Sequence, residues 1–266
     1  QTATPTSVIV KWRTDIATES TVEVAVVNGA IMTVSDVAVS TEHEVSLTGL
    51  LPDTLYNYTV GTASLVLAGG DLSFNGDGEH FFTTSPPAGT DKATRIWVIG
   101  DSGDPGKVSW AVRDAMKSWI DKHPRENKPY LDQWVTLGDN AYRSGSNQQY
   151  RFGFFNPYSE ILKNIAPWPG YGNHDARRWA FFDIFSLPEN AESGGVASAT
   201  EHYYSFDYAN VHTVMLDSQD SERGPEGEML TWLKRDLEAY RAANQAGKMD
   251  WLIVAFHHPP YSKGSH

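Results

Sequence analysis

The sequence predicts two regions of different architecture, an all-β sandwich at the N-terminus followed by an α/β domain. Residues 1–84 contain short runs in which apolar and polar residues alternate, whereas the chain after residue 94 contains continuous apolar runs separated by amphipathic segments. Alternation with a period of two is typical of half-buried antiparallel strands. Strands that alternate with helices are typical of a partly parallel sheet. A length of 266 residues allows one large domain or two ordinary ones.

The expected sandwich is built from short strands. The segments Ser7–Trp12 and Thr21–Val27 alternate most clearly. Further strands are expected at His43–Leu47, Leu55–Val60 and His80–Thr83. The stretch Asn75-Gly76-Asp77-Gly78 is predicted to be a hairpin turn. The side chains of Asp71, Asn75, Asp77 and Glu79 are also compatible with calcium, but they do not form a twelve-residue calcium loop, so the turn is preferred.

The second half of the chain is predicted to alternate strands with helices. TTSPPAGTDKAT at residues 83–94 has the composition of a linker, which gives domains at 1–84 and 95–266 with a linker at 85–94. The expected strands are Arg95–Gly100, Trp134–Gly138, Val211–Leu216 and Trp251–Phe256. The expected helices are Lys107–Ile120, Asn156 to Asn164 with Asn156 as N-cap, and Glu228–Ala243. The inward stripes are predicted to contain Val108, Val112, Ala115 or Met116, and Trp119 in the first helix and Leu230, Leu233, Leu237 and Tyr240 in the last.

Polar side chains follow three of the apolar runs directly. Asp101, Asp139 and His257 each stand at the end of an expected strand. A fourth polar group, GNHD at residues 172–175, follows a Pro- and Gly-containing approach. Any one of these could be a turn or a helix cap, but four such positions indicate a shared site, because ligands of open α/β sheets bind beyond the carboxyl ends of the strands.

The side chains at these ends are oxygen and nitrogen donors. Carboxylate, amide, phenol and imidazole groups suit hard or borderline cations such as Fe(III), Mn(II) or Zn(II). A carboxylate can bridge two such ions, and an ion pair of this kind can activate water and clamp both oxygens of an in-line displacement at phosphorus. The donor types therefore indicate a metal site, and a pair of ions there would suit chemistry at phosphorus.

The order of the motifs carries a specific resemblance. Asp101-Ser-Gly103, Gly138-Asp139-Asn-Ala-Tyr142, GNHD at 172–175 and Val254-Ala-Phe-His257 resemble four of the five signature blocks of calcineurin-like metallophosphoesterases. Tyr142 narrows the resemblance to the purple acid phosphatase branch. Those enzymes also carry a fibronectin type III-like N-terminal domain, which Trp12 and the Leu50-x-Pro-x-Thr-x-Tyr56-x-Tyr58 stretch resemble here.

The resemblance implies a role for each residue. Asp101 and Tyr142 would bind Fe(III), Asp139 would bridge two ions, and Asn173 and His257 would bind a divalent Fe, Zn or Mn ion. His174 would assist the departing alcohol while metal-bound hydroxide attacks phosphorus in line, and Asp175 would orient His174. His266 falls where the family places another substrate-side histidine. Glu is more usual than Asp at position 175, which weakens that one assignment.

One block of the family pattern is absent. The Gly-His-x-His block, which would supply one histidine to each metal, does not occur in the sequence. The chain is therefore expected to be part of a longer one. Arg177 and Arg178 are expected to be solvated surface charges, and His258 is expected to be structural or to lie just outside the metal ligands. His202 and His212 are expected to pack or face solvent, and Asp217 is expected to cap a strand end.

Composition limits the partners. A formal net charge of −12 disfavours a nucleic-acid partner, and no apolar run approaches the roughly 20 residues of a membrane span. There are no cysteines, so thiolate metal sites are excluded. The expected function is an acid phosphatase acting on a small phosphate ester, and the expected location is secreted or periplasmic. A phosphodiesterase or nucleotidase, or an extracellular binding protein with a dead catalytic domain, are the alternatives. The natural substrate, the divalent metal and the oligomeric state stay open.

Overall fold

A computed structural model describes residues 1–125 and 130–264. Its strands are β1 Ser7–Ala25, β2 Met32–Thr48, β3 Leu55–Gly61, β4 Val66–Ala68, β5 Phe81–Thr83, β6 Ile96–Ile99, β7 Gln133–Thr136, β8 Pro167–Pro169, β9 Tyr204–Tyr208, β10 Val211–Met215 and β11 Trp251–Ala255. Its α-helices are α1 Lys107–Lys122, α2 Asn147–Tyr150, α3 Ser159–Leu162, α4 Ala180–Ile184 and α5 Glu228–Gln245. The all-β N-terminal region and the mixed α/β region are therefore confirmed.

The first two expected strands are a single strand. β1 runs without interruption through Ser7–Ala25 and pairs with β2 along most of its length. The pairing register shifts between Arg13 and Thr18 and again between Thr18 and Ser20. Irregularities of this kind bend a strand without ending it, so the polar residues between the two alternating segments mark a bend and not a loop.

The expected hairpin at residues 75–78 is wrong. β4 and β5 do not pair with each other; both pair with β3, β4 at Val60 and Gly61 and β5 along Leu55–Asn57. A 3₁₀ turn at Leu72–Phe74 lies between them, with Asp71 as its side-chain cap. The left-handed backbone of Asn75, Gly76 and Gly78 then turns the chain back toward β3. The turn residues are present, but they redirect the chain along one strand edge.

One apolar core joins both halves of the long β1–β2 hairpin. The half nearest the N-terminus contributes Val8, Val45 and Leu47. The other half and β3 contribute Val22, Val24 and Val60 together with the rings of Tyr56 and Tyr58, and β5 adds the ring of Phe82. Because side chains from both halves meet in one cluster, the bent hairpin supplies two apolar faces to the same interior.

Among the described residues, the C-terminal region contains two three-stranded sheets. β6, β7 and β8 are parallel, in that order, while β10 pairs in parallel with β11 and antiparallel with β9. The sheets share one core, in which the ring of Trp168 stacks on that of Phe206 at 3.8 Å between centroids. β8 and β9 were missed because β8 has three residues, two of them proline, and β9 contains alternating aromatic and polar residues.

The inward faces of the two long helices agree with the prediction only in part. In α1, the predicted Val108 and Trp119 are exposed, whereas the predicted Met116 packs against the core together with Ile120. In α5, the fully buried positions are Met229, Trp232 and Asp236, and the predicted Leu230 and Leu233 pack half-buried against the same cluster as Met229 and Trp232. An apolar stripe indicates roughly which face of a helix is buried. The exact rotation of the helix about its axis depends on the element that packs against it, and the sequence of the helix does not specify that element.

The predicted helix start at Asn156 is also wrong. Helical structure begins ten residues earlier, where Ser146 and Gln149 form a reciprocal capping box at the start of α2. A π turn over Arg151–Phe155 continues it, and Asn156 already has helical angles. The Ser-x-x-Gln pattern that signals this start is visible in the sequence.

Specific hydrogen bonds join the two regions. The side-chain amide of Asn164 donates to the carbonyl oxygens of Glu79 at 2.6 Å and Phe81 at 3.1 Å. The Tyr58 hydroxyl donates to the carbonyl of Lys163 at 3.0 Å. Within 1–125 and 130–264, none of the helices combines the length and the apolar character that a bilayer-crossing segment needs.

Candidate metal centre

The predicted ligands meet because four strands end close to one another. β6, β7 and β8 lead to Asp101, Asp139 and the loop that contains Asn173, and β11 leads to His257. β11 belongs to the second sheet, so the centre forms where the carboxyl ends of both sheets approach each other.

The backbone at these strand ends is in an uncommon conformation. Asp101 and Asp139 have φ angles of 53° and 54°, in the left-handed region that residues with a Cβ rarely occupy. Such conformations cluster at functional sites and persist only where the surroundings enforce them. Gly138 precedes Asp139 with φ 95°, and a Cβ there would lie 2.8 Å from Nδ1 of His257. Only glycine lets this strand end approach the imidazole so closely.

Three side chains form a cluster with metal-ligand geometry. One donor atom from each of Asp101, Asp139 and His257 lies within 4.8 Å of the other two. Asp139 is buried and Asp101 is exposed, so the cluster opens to solvent on the Asp101 side. Tyr142 and Asn173 extend the cluster, each through contact with one of its members.

The orientation of His257 favours a cation. Its Nδ1 donates a hydrogen bond to the carbonyl oxygen of Leu137 at 2.9 Å, which leaves Nε2 as the basic nitrogen of the neutral ring. Nε2 faces Oδ1 of Asn173 at 3.0 Å and Oδ1 of Asp139 at 3.5 Å. Lone pairs of nitrogen and oxygen therefore converge on one point, and a positive ion is what such an arrangement stabilises.

The phenol of Tyr142 lies on the opposite side of the cluster. Its hydroxyl donates to Oδ1 of Asp101 at 2.9 Å. Burial, and then the carboxylates of Asp101 and Asp139, raise the pKa of Tyr142 above its usual range. A cation between these oxygens would act in the opposite direction and favour the phenolate. The donor set thus fits metal ions at both ends of the cluster.

His174 presents one ring nitrogen to the cluster. Its Nδ1 donates to the carbonyl oxygen of Arg143 at 2.6 Å, and its Nε2 lies 3.9 Å from Oδ2 of Asp139. The backbone amide of His174 donates to Oδ1 of Asp139 at 2.8 Å, which fixes the loop to the carboxylate. Nε2 is therefore available to a group held at the centre.

Asp175 does not contact the ring of His174, contrary to the expectation that it orients this ring. It accepts hydrogen bonds from the Tyr150 hydroxyl at 2.6 Å, from the backbone and side-chain amides of Asn140, and from the backbone amide of Gly172 at 3.0 Å. Burial raises the pKa of Asp175 to about 6, against the lowering effect of these donors. Its role in the fold is to tie the loops after β7 and β8 together, and the Arg143 carbonyl contacts His174 instead.

Other polar residues near the strand ends lie outside the cluster of candidate ligands. Ser218 accepts from the backbone amide of His258 at 3.0 Å and contacts its Nδ1 at 2.9 Å. Asp217 accepts three backbone amides of the loop that follows β10, as a strand-end cap does, and pairs with His202 at 3.0 Å. His212 is buried between Asp207 and Asp236. No motif pointed to Ser218, because its partner is 40 positions away. His266 lies outside the described residues.

The two sheets and their shared cluster of oxygen and nitrogen donors define the class of a metal-binding phosphoesterase fold. Residues 94–266 match the family model of the calcineurin-like phosphoesterases, and the chain belongs to that family. This match covers more than half of the chain and contains all of the cluster residues.

Two curated proteins with similar sequences are purple acid phosphatases. The chain is 29% identical over 229 residues to purple acid phosphatase 21 of Arabidopsis thaliana, which covers 83% of this chain and 44% of that protein. It is 27% identical to purple acid phosphatase 18 of the same plant, over 84% of this chain and 44% of that protein. The chain thus spans less than half the length of these two relatives.

A solved structure shares the fold. The structure of PhoD superposes with a TM-score of 0.59 at 16% sequence identity and covers 95% of this chain and 60% of that one. At this identity the likeness concerns the fold alone.

Proposed function

We propose that this chain carries the active site of a metal-dependent phosphomonoester hydrolase of the acid phosphatase type. The observation that supports the proposal best is the cluster of Asp101, Asp139 and His257, whose donor atoms lie within 4.8 Å of one another at the ends of strands from both sheets. The similarity to purple acid phosphatases over 83% of the chain supports the same reaction.

Two metal ions fit the donor set. Asp101 and Tyr142 would hold Fe(III), Asp139 would bridge, and Asn173 and His257 would hold a divalent Fe, Zn or Mn ion. When bound, such a pair supplies Lewis acidity and an activated water at neutral or acidic pH. Metal analysis and a visible spectrum test this assignment, because a phenolate bound to Fe(III) absorbs in the green to yellow and loses this band in Tyr142→Phe.

The chain's own groups complete the site. His257 is held in one orientation by the carbonyl of Leu137, and Asp139 is held by the backbone amide of His174. Nε2 of His174 is directed at the centre and is positioned to deliver a proton to the oxygen of the departing alcohol. His266, proposed as a second substrate-side histidine, would act on the same group. The exposed side of the cluster admits a small phosphate ester.

Replacement of Asp139 by alanine tests the proposal. We expect loss of aryl phosphate hydrolysis by at least about a thousandfold, because the carboxylate at the centre of the donor set is removed. Metal content measured by elemental analysis should fall together with activity. Asp104→Ala is the matched control, since Asp104 is an exposed aspartate on the loop that follows Asp101, and it should retain both properties. Activity retained by Asp139→Ala would refute the assignment.

Two further features are proposed on the resemblance. The domain limits are 1–84 and 95–266, joined by residues 85–94. The protein is secreted or periplasmic, in keeping with a β-domain attached to a phosphatase domain. Limited proteolysis tests the domain limits, and fractionation of the source cells tests the location.

A further inference from the structure

Two arginine side chains lie beside the metal centre without an acidic partner. Arg143 follows Tyr142 directly, and Arg177 ends the short 3₁₀ turn that begins after His174. Both are exposed, and within the described ranges neither forms an ion pair with Asp or Glu. In a chain with a formal net charge of −12, unpaired cations at a phosphoesterase site raise the local concentration of anions.

The position of Arg177 relative to His174 is well defined. Nη1 of Arg177 donates to the carbonyl oxygen of Arg143 at 2.9 Å, and Nδ1 of His174 donates to the same oxygen at 2.6 Å. The guanidinium therefore lies at the Nδ1 edge of the imidazole. The opposite edge, Nε2, faces Asp139. A guanidinium has five N–H donors, so the bond to the carbonyl leaves several of them free for a ligand.

We propose that Arg177 binds a second phosphate on the leaving-group side of the substrate, so that the site prefers esters with adjacent phosphates, such as nucleoside diphosphates. The inference rests on the proposed function. In this proposal the phosphate that reacts at the metal centre lies on the Nε2 side of His174, and the departing group extends past the ring toward its Nδ1 edge. Arg177 stands at that edge, and its planar guanidinium can bind two phosphate oxygens at once.

The reaction of such a substrate balances with water alone. The water oxygen bonds to the terminal phosphorus, and the bond from that phosphorus to the bridging oxygen breaks. The electron pair and the negative charge go to the second phosphate, which departs as a nucleoside monophosphate. Arg177 stabilises the charge that develops there, which a substrate with an uncharged leaving group does not require.

The first test compares ADP with AMP in the metal-loaded full-length protein, by initial rates of phosphate release. The two substrates differ only in the second phosphate. We expect Arg177→Gln to lower the ratio of kcat/KM for ADP to that for AMP by about tenfold, since a charge-assisted pair is lost. Arg177→Lys keeps the charge but not the planar pair of donors, so its ratio should lie between those of the native protein and Arg177→Gln.

Arg178 provides a matched control. It is the neighbouring residue, is exposed, and has no ion pair with the described residues, but it makes no contact with the Arg143 carbonyl. Arg178→Gln should leave the ratio unchanged. An unchanged ratio in Arg177→Gln, or an equal drop in Arg178→Gln, would overturn the inference.

A binding measurement separates this inference from the proposed function. Calorimetry with pyrophosphate and with inorganic phosphate requires no hydrolysis. The native protein should bind pyrophosphate more tightly, and Arg177→Gln should lose most of that preference. If the native protein releases phosphate from neither nucleotide, the proposed function fails while the preference for pyrophosphate still decides the role of Arg177. No preference in the native protein, or the same preference in Arg177→Gln, contradicts the role.

Discussion

The buried carboxylate of Asp175 offers a direct test of how the centre is supported. Asp175 has no exposed surface, and all of its hydrogen-bond partners are donors. They come from three places in the chain, Asn140 after β7, Tyr150 in α2, and Gly172 after β8. Removing this acceptor should loosen the two loops that carry Asp139 and Asn173.

The magnitude follows from the donors left without an acceptor. In Asp175→Ala, the backbone amides of Asn140 and Gly172, the side-chain amide of Asn140 and the hydroxyl of Tyr150 lose a buried acceptor. An unsatisfied buried donor costs about 1–3 kcal/mol. Water entering the new space offsets part of this, so we expect the free energy of unfolding to fall by about 3–5 kcal/mol.

Asparagine at the same position should be milder. An amide can keep its oxygen toward Gly172 and Asn140 and place its nitrogen toward Tyr150, whose hydroxyl is able to accept. This arrangement also removes the cost of burying a charge. We therefore expect a loss of about 1–2 kcal/mol in Asp175→Asn.

Urea denaturation and metal-binding calorimetry measure the two consequences. Asp183→Ala is the control, because Asp183 is exposed and its carboxylate has no partner among the described residues. Asp175→Ala should lose both stability and metal affinity, while Asp183→Ala should lose neither. A free energy of unfolding within about 1 kcal/mol of the native value in Asp175→Ala would show that the carboxylate does not hold the loops.

Three further outcomes are expected. Ser218→Ala should weaken metal binding severalfold, because the backbone amide of His258, next to His257, loses its hydrogen-bond acceptor. Ser218→Thr keeps the hydroxyl and should bind metal like the native protein. Equal metal affinity in the two variants would show that Ser218 does not support His257. Burial lowers the pKa of His212, but its two carboxylate partners outweigh burial and raise it to about 9. The folded state therefore holds the proton more tightly than the unfolded state. The loss in free energy of unfolding caused by His212→Gln should be largest below about pH 6.5 and should decrease as the pH rises toward 10. Urea denaturation at several pH values measures this loss. Asn164→Ala should lower the melting temperature by removing two bonds between the regions, with an unchanged temperature as the contrary result.

The sequence by itself predicted which side chains form the candidate centre. Asp101, Asp139 and His257 were identified because each follows an apolar run, and such runs become buried strands whose carboxyl ends share an edge. The class of fold followed from the change in hydrophobic periodicity after residue 84. These features depend on local order along the chain, so they are visible without coordinates.

Only the tertiary structure decided which groups support the ligands and which faces of the helices are buried. Asp175 stands beside His174 in the sequence but bonds to Tyr150 and Asn140, which the fold brings to it from 25 and 35 positions away. The exposed stripe of α1 and the single long strand β1 likewise depend on what packs against them. Hydrogen bonds and packing between distant segments follow from three-dimensional proximity, and residue type alone does not encode it.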